Sequence, residues 1–232
     1  SERESLDLEC ARQIVIDQRD KVAAFGISGL FGVRNSDHEV KLRNLVSSLT
    51  RKPVTCGHEL ASQLDAPRRA LTVAFNASLI PYIDELIRAI KLILGERNIH
   101  APLMMVKGDG SLISAETALA RPVETILSGP AASVMGAAQL QPHQNAIIAD
   151  MGGTTTDIAV ITDGLPVISA KATVIGAWRP MVEAVRVFSL GLGGDSEVRF
   201  QGGAGLAIGP RRVVPMSLLV YRYPEVLGTL ER

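Results

Sequence analysis

The spacing of apolar and polar positions changes along the chain, and each change marks an element. KVAAFGISGLF (residues 21–31) is apolar and punctuated by glycine, the pattern of a buried strand ending in a turn. Ser36-Asp37 with Glu39 close behind is a helix-start signal, and HEVKLRNLVSSL (38–49) is an amphipathic helix body. KPVTC (52–56) predicts a second short strand. PRRALTVAFNASLIPYIDELIRAIKLILGERN (67–98) predicts one kinked helix or two, because Pro81 lacks an amide hydrogen. In its second half Leu79, Ile83, Leu86, Ile90 and Ile93 recur at intervals of four and three, with Ile80, Ile87 and Leu94 beside them. That face is expected to be buried, with Asp84, Glu85, Arg88 and Lys91 opposite and Asp84 paired to Arg88.

PLMMVKGDG (102–110) reads as a buried strand leaving its sheet at a Gly-Asp-Gly turn. SGPAASVMGAA (128–138) reads as a helix of small residues capped by Ser128, with Pro130 near its first position. NAIIADMGGTTTDIAVITDGLPVIS (145–169) then alternates strand, glycine turn, strand, Asp-Gly turn and third strand, a β meander with a polar loop at its first bend. The glycine-rich stretch 191–215 is expected to be loop with one short strand. No internal repeat or low-complexity block interrupts this order.

Composition narrows the possible partners. Of 232 residues, 47% are hydrophobic and 21% charged, enough for a real core. The 24 basic and 24 acidic side chains balance, so no net field favours nucleic acid or an anionic membrane. The longest uncharged stretch, 125–149, is broken by Gly129, Pro130, Pro142 and several polar residues and does not read as a membrane span. The charged opening SERESLDLECAR is not a signal peptide, so a soluble, cytoplasmic protein is expected, and the missing initial Met suggests a piece of a longer chain. Cys10 and Cys56 lie far apart without CxxC spacing, which argues against a zinc site or a disulfide framework. His38, His58, His100 and His143 lack ligand spacing and are expected at the surface or in loops.

The chemistry concentrates in ADMGGTTTD (149–157). Gly152 and Gly153 let backbone amides approach an anion, and Thr154, Thr155 and Thr156 add hydroxyl donors. Asp150 and Asp157 stand at the two lips, where a carboxylate holds magnesium through water or positions a nucleophile. An ordinary polar hairpin fits the same residues. Neither a Walker A loop nor a GxGxxG fingerprint is present. Gly193 and Gly194 in GLGGDSEV either line a nucleotide or substrate cleft or form a plain crossover. Lys107, Asp109 and Ser111 either face a cleft or close a turn. Trp178-Arg179-Pro180 is expected to pack rather than to support a site.

The strand-loop-strand phosphate turn following a small-residue helix resembles the second phosphate loop and connecting helix of the actin-like ATPase superfamily. KGDGSLIS (107–114), RPVETILSGPAASVMGAA (121–138), ADMGGTTTDIAVITDG (149–164) and GLGGDSEV (191–198) occur in an order similar to that of the hydantoinase A/oxoprolinase family, and RRALTVAFNASLIPYI (68–83) fits it too. The resemblance covers residues 25–225. It implies an α/β, ribonuclease-H-like, actin-like ATPase fold in partial form, a mixed sheet with flanking helices, with residues 1–143 ending one lobe and 144–232 starting the second. It also implies ATP and Mg2+ as cofactors, Asp150 and Asp157 as catalytic residues, Asp150 as the magnesium ligand through water, and Gly152–Thr156 with Gly193 and Gly194 as the nucleotide contacts. The expected reaction is ATP-dependent opening of a cyclic amide such as a hydantoin or 5-oxoproline, or a related carboxylation, with a second enzyme subunit as a possible partner. A small-molecule kinase and an actin-like or chaperone-like nucleotide switch are the alternatives. The sequence departs from the family in two places. No first phosphate loop of the form Asp-x-Gly-Gly-Thr-x-Thr-Asp occurs in 1–148, and Asp195 stands where many relatives have a third glycine. An internal fragment with half the phosphate clamp, poor at binding ATP alone, is therefore expected.

Overall fold

The structure is a computed structural model that describes residues 5–140, 143–169, 174–200, 203 and 205–230. It divides into two compact units. The first comprises Ser1–Ala131 and Ile168–Ala184, and the second Ala132–Val167 and Val185–Arg232.

In the first unit, α1 (Leu8–Gln18), capped by the Asp7 carboxylate, precedes β1 (Phe25–Ile27), which pairs in parallel with β2 (Val54–Cys56). Between them α2 (Asp37–Leu49) buries Leu45 and Val46. The apolar stretch 21–31 yields only the three residues of β1. Glu39, expected as a helix-start residue, instead points inward and is 1% exposed. Asn35 Oδ1 accepts from Asp37 N (2.9 Å), so the local support of this helix start comes from Asn35. After the short α3 (Gly57–Leu60) comes α4 (Ala66–Glu96), one continuous helix that contains Pro81.

α4 buries Arg69, Thr72, Val73, Asn76, Ile80 and Ile87, so the buried stripe follows the row through Ile80 and Ile87. Leu86 and Ile93, expected inside, are exposed. The reason lies at the other end, where three polar side chains fix the rotation of the helix. Arg69 donates to the carbonyls of Gly29 (2.6 Å), Leu30 (2.9 Å) and Gln63 (3.0 Å). Asn76 Nδ2 donates to Thr55 Oγ1 (2.9 Å) and Ala120 O (3.0 Å), while its Oδ1 accepts from Val123 N (3.0 Å). Thr72 Oγ1 donates to Arg68 O (2.8 Å) and accepts from Met181 N (2.8 Å). Burying these groups unpaired would cost several kcal/mol in total, at about 1–3 each, so satisfying them outweighs the modest gain from burying Leu86 and Ile93. Asp84 and Arg88 form the expected pair at 2.7 Å. By length and composition alone α4 is apolar enough to cross a membrane, but this polar anchoring is the mark of a core helix.

β3 (Met104–Val106) and β4 (Leu112–Ser114) form a hairpin around the Lys107–Gly110 turn, followed by α5 (Ala115–Ala120) and a 3-10 turn at Pro122–Thr125. The division between units falls inside α6 (Ser128–Leu140). Ser128 is the first helical residue rather than its cap, and Leu127 before it has φ 62°.

The second unit centres on β5 (Ala146–Met151) and β6 (Thr156–Thr162), antiparallel and in register from Ala146↔Ile161 to Met151↔Thr156. The other edge of β6 carries β7 (Leu165–Pro166) after an Asp163-Gly164 turn with both φ positive, and β8 (Val187–Leu190), which the sequence reading missed. The glycine-rich stretch is also more ordered than expected, since β9 (Ser196–Phe200) and β10 (Leu206–Arg212) pair as a hairpin. α7 (Met216–Arg222) and α8 (Leu227–Leu230) close the described chain. Parallel and antiparallel pairing thus both occur, but in separate small sheets rather than one mixed sheet.

Candidate functional site

β5 delivers the chain to Gly152 and β6 takes it away at Thr156, so the turn spans four residues. Gly152 N donates to Thr155 O (2.9 Å), which closes the turn and spends that amide. The N–H groups of Gly153, Thr154 and Thr155 have no hydrogen-bond partner among the described residues. Three consecutive unspent amides on an exposed turn are donors that an anion could meet. A Cβ on Gly152 would meet only Thr155 O, at 3.7 Å, so the approach over that residue is open.

The second glycine stretch holds the first in place. Gly194 N and Asp195 N donate to the carbonyls of Gly152 and Gly153, both at 2.9 Å. The backbones are so close that a Cβ on Gly193 would lie 2.6 Å from both C and O of Gly153. Gly193 is therefore required by the packing of one turn on the other. Thr156 Oγ1 donates to Leu192 O (2.7 Å) and is buried, so it clamps the turns together. This corrects its expected role as a free hydroxyl donor, which remains open to Thr154 and Thr155, both exposed.

Asp150 and Asp157 are directly opposite each other on β5 and β6. The same sheet face carries Ala159 and Ile161, both buried, and Ser189, whose hydroxyl donates to Asp157 Oδ1 (2.5 Å). Like charges facing each other across a strand pair destabilise it by about 0.2–1 kcal/mol in the absence of a cation. Asp195 occupies the place of the expected third glycine. Its Oδ2 lies 2.6 Å from where a Gly153 Cβ would be and 2.7 Å from Arg212 Nη2 on β10. Gly153 is thus constrained by the Asp195 carboxylate, and Arg212 neutralises that carboxylate beside the glycine turn.

Residues 69–220, about two thirds of the chain, match the hydantoinase/oxoprolinase family model. The chain belongs to the hydantoinase/oxoprolinase family. Among this family's proteins it is similar to caprolactamase subunit alpha of Pseudomonas jessenii, 31% identical over 91% of this chain and 31% of that one. It is also similar to the acetophenone carboxylase gamma subunit of Aromatoleum aromaticum (strain DSM 19018 / LMG 30748 / EbN1), 26% identical over 81% of this chain and 27% of that one. The crystal structure of the ATP-dependent caprolactamase from Pseudomonas jessenii superposes with a TM-score of 0.73 at 28% identity, over 92% of this chain and 31% of that one. A nucleotide-free acetone carboxylase shares the fold with a TM-score of 0.64 at 23% identity, over 89% of this chain and 30% of that one. The chain spans less than a third of the length of the curated relatives it matches.

Other candidates in this hydantoinase/oxoprolinase chain resolve differently. Lys107 Nζ pairs with Asp109 Oδ2 (3.1 Å) and Glu124 Oε2 (3.3 Å), and Asp109 also accepts from Ser111 N (2.9 Å) and Oγ (2.6 Å), so the turn is closed while Lys107 lines a cleft. Burial alone would lower the Lys107 pKa, but Asp109 and Glu124 more than offset this and hold it above the ordinary lysine value. Trp178 is largely exposed, and Pro180 is the residue of that trio that packs. His58 is not a surface or loop residue, because α3 places it part-buried against Glu39 with Nδ1 2.6 Å from Oε2.

Glu39, Cys56 and His58 bring their ligand-type atoms within 4.8 Å of one another, a grouping that sequence spacing hides. The carboxylate is already spent, since Gly29 N (2.7 Å) donates to Oε1 and His58 N (2.9 Å) to Oε2 beside the imidazole contact. Burial, with Glu59 nearby, pushes the Cys56 thiol up to about 11, so it stays protonated. In this structure the three residues form a hydrogen-bonded knot, in which Cys56 Sγ also donates to Glu39 O (3.7 Å).

Proposed function

We propose that the whole protein couples ATP hydrolysis to opening of a cyclic amide of the hydantoin, lactam or 5-oxoproline type. The observation that carries the reading is the glycine turn: three unspent amides held against a second glycine turn, with two opposed carboxylates at its base. The residues fit Mg-ATP. Gly153, Thr154 and Thr155 would meet a phosphate with N–H groups, and Gly193 and Gly194 would keep those groups aimed. Asp150 would hold Mg2+ through water with Asp157 beside it, relieving the repulsion between the two carboxylates.

ATP supplies a phosphoryl group that activates a carbonyl oxygen, making an amide carbon open to attack. The side chains of this chain do the rest of the local work. Ser189 fixes one oxygen of Asp157, Thr156 locks the two turns together, and Arg212 screens the charge of Asp195. In this reading the two units are the end of one lobe and the start of the next in an actin-like ATPase, and the enzyme works in the cytoplasm. Two of the matched relatives are named as subunits, which supports a second subunit as partner. The relative named caprolactamase supports amide opening, and the relative named acetophenone carboxylase makes carboxylation the second reading. Nothing in these matches favours a kinase or a nucleotide switch.

The test is ATP consumption by the whole protein, with any companion subunit, against hydantoins, 5-oxoproline, caprolactam and ketones, with products identified. Amide-stimulated hydrolysis with release of a ring-opened acid is expected. ATP turnover indifferent to every compound would overturn the reading, and stimulation by a ketone with bicarbonate would move it to carboxylation.

A further inference from the structure

A cleft of about 500 Å3 opens in the first unit, whereas both glycine turns belong to the second. That volume suits a small molecule, at the lower end of the 300–1,000 Å3 typical of ligand sites. Leu60, Val123 and Met181 give it apolar walls, and its charged lining is Arg68, Lys107, Glu124 and Glu183.

The walls are fixed by backbone contacts. Gly108 N donates to Glu124 O (2.8 Å), and a Cβ at Gly108 would lie 2.4 Å from Ile126 O and 3.1 Å from Glu183 O. Met181 N is held by the fully buried Thr72 at 2.8 Å. Arg68 Nε donates to Arg179 O (3.1 Å), tying the same wall from the other side. A site braced in this way is organised before a ligand arrives.

Charge selects the class of ligand. Two cations face two carboxylates, and Asp109 adds a third negative charge behind Lys107, so the cleft has no net positive field for a polyphosphate. The Lys107 ammonium has three N–H groups and two carboxylate partners, which leaves a donor for the cleft. Glu183 offers an acceptor on the opposite side of the charge balance.

We propose that this cleft binds a small molecule carrying a carbonyl or carboxylate acceptor next to an N–H donor on a compact apolar body, with the acceptor on Lys107 and the N–H on Glu183. A lactam has this chemistry, whereas the amino acid formed by opening it carries its carboxylate and its ammonium at opposite ends of the chain. Only the choice of amide probes rests on the proposed function; the cleft, its bracing and its charges do not.

The experiment measures binding of caprolactam and of 6-aminohexanoate separately to the whole protein by calorimetry, alongside binding of ATP. Lys107→Met should weaken the bound compound about tenfold or more, the loss expected for a charge-assisted hydrogen bond, and leave ATP affinity unchanged. Met181→Trp keeps the charge cluster intact and fills the cleft, so it should weaken the same compound without weakening ATP. Lactam affinity exceeding that of the amino acid is expected, because only the lactam sets the acceptor beside the N–H; the reverse order would overturn the proposal. Unchanged affinity in Met181→Trp, or equal loss of ATP and amide binding in a folded Lys107→Met, would overturn it. Amide-stimulated ATP turnover with an unaltered KM for amide in both variants would sink the cleft while leaving the proposed function standing. ATP turnover that ignores amides, with amide still bound in the cleft, would do the opposite.

Discussion

Two polar clusters in this chain use similar residues for opposite ends. Around Glu39 and Arg69, carboxylate, guanidinium and backbone groups are buried and almost completely paired. At the glycine turn, the amides of Gly153, Thr154 and Thr155 are exposed and unspent, although the backbone that carries them is tightly fixed. A satisfied polar cluster holds elements together and has nothing left for a ligand. A fixed cluster with unspent, exposed donors still has hydrogen bonds to give a ligand, which is what the proposed function asks of this turn.

The comparison breaks first at Glu39. Glu39→Ala should cost about 3–5 kcal/mol of stability, because it strands buried donors, and thermal or urea unfolding would read this directly. A loss under 1 kcal/mol would mean that the knot is not structural. Asp150→Asn should leave the fold intact, since this side chain is exposed, and lower ATP turnover of the whole protein on the order of 10²-fold. Near-normal turnover would remove Asp150 from the site. Gly152→Ala sharpens the contrast further: its Cβ has room in the fold, so a rise in KM for ATP with an unchanged melting temperature would report phosphate approach alone. Gly153→Ala reads less cleanly because Asp195 is in the way.

The smaller effects concern pH and thiols. Burial would raise the Glu39 pKa, but hydrogen bonds from Gly29 N, His58 N and the His58 imidazole outweigh it and hold the group below its usual 4.5. A depressed folded pKa contributes stability above the unfolded value and loses it as pH falls through the folded one. Stability measured downward from pH 5 should therefore fall, and Glu39→Gln should flatten that limb. An alkylating reagent at neutral pH should modify the exposed Cys10 and spare the buried, protonated Cys56. Equal labelling of both would show that the knot opens in solution.

Periodicity and turn chemistry made much of this legible in the sequence. The alternation in 146–162 predicted the β5–β6 pair, and the double glycine predicted where it bends. The stripe on α4 was misread because the helix is rotated by Arg69, Thr72 and Asn76, polar residues whose burial depends on distant partners, 47 positions away for Asn76 with Val123 and 109 for Thr72 with Met181. Glu39 and His58 were hidden in the same way, since their meeting depends on α2 and α3 closing over β2. The β9–β10 hairpin was lost in a stretch whose glycines suggest only loop, although Ser196–Phe200 contains Val and Phe in alternation. Order in that stretch depends on the N–H groups of Gly194 and Asp195 finding the carbonyls of a different turn, a contact that composition does not encode.

One connection has a wider meaning. After β7 the chain leaves its sheet for residues 168–184 and returns to β8, with Arg186 N donating to Val167 O (2.7 Å) and Ser169 N accepted by Ala184 O (2.9 Å) at the neck. Because the chain is pinned where it leaves and re-enters the sheet, changes within the segment need not disturb the register of β6 with its neighbours. Under the proposed function, the residues of the insert could then differ between relatives without disturbing the glycine turn.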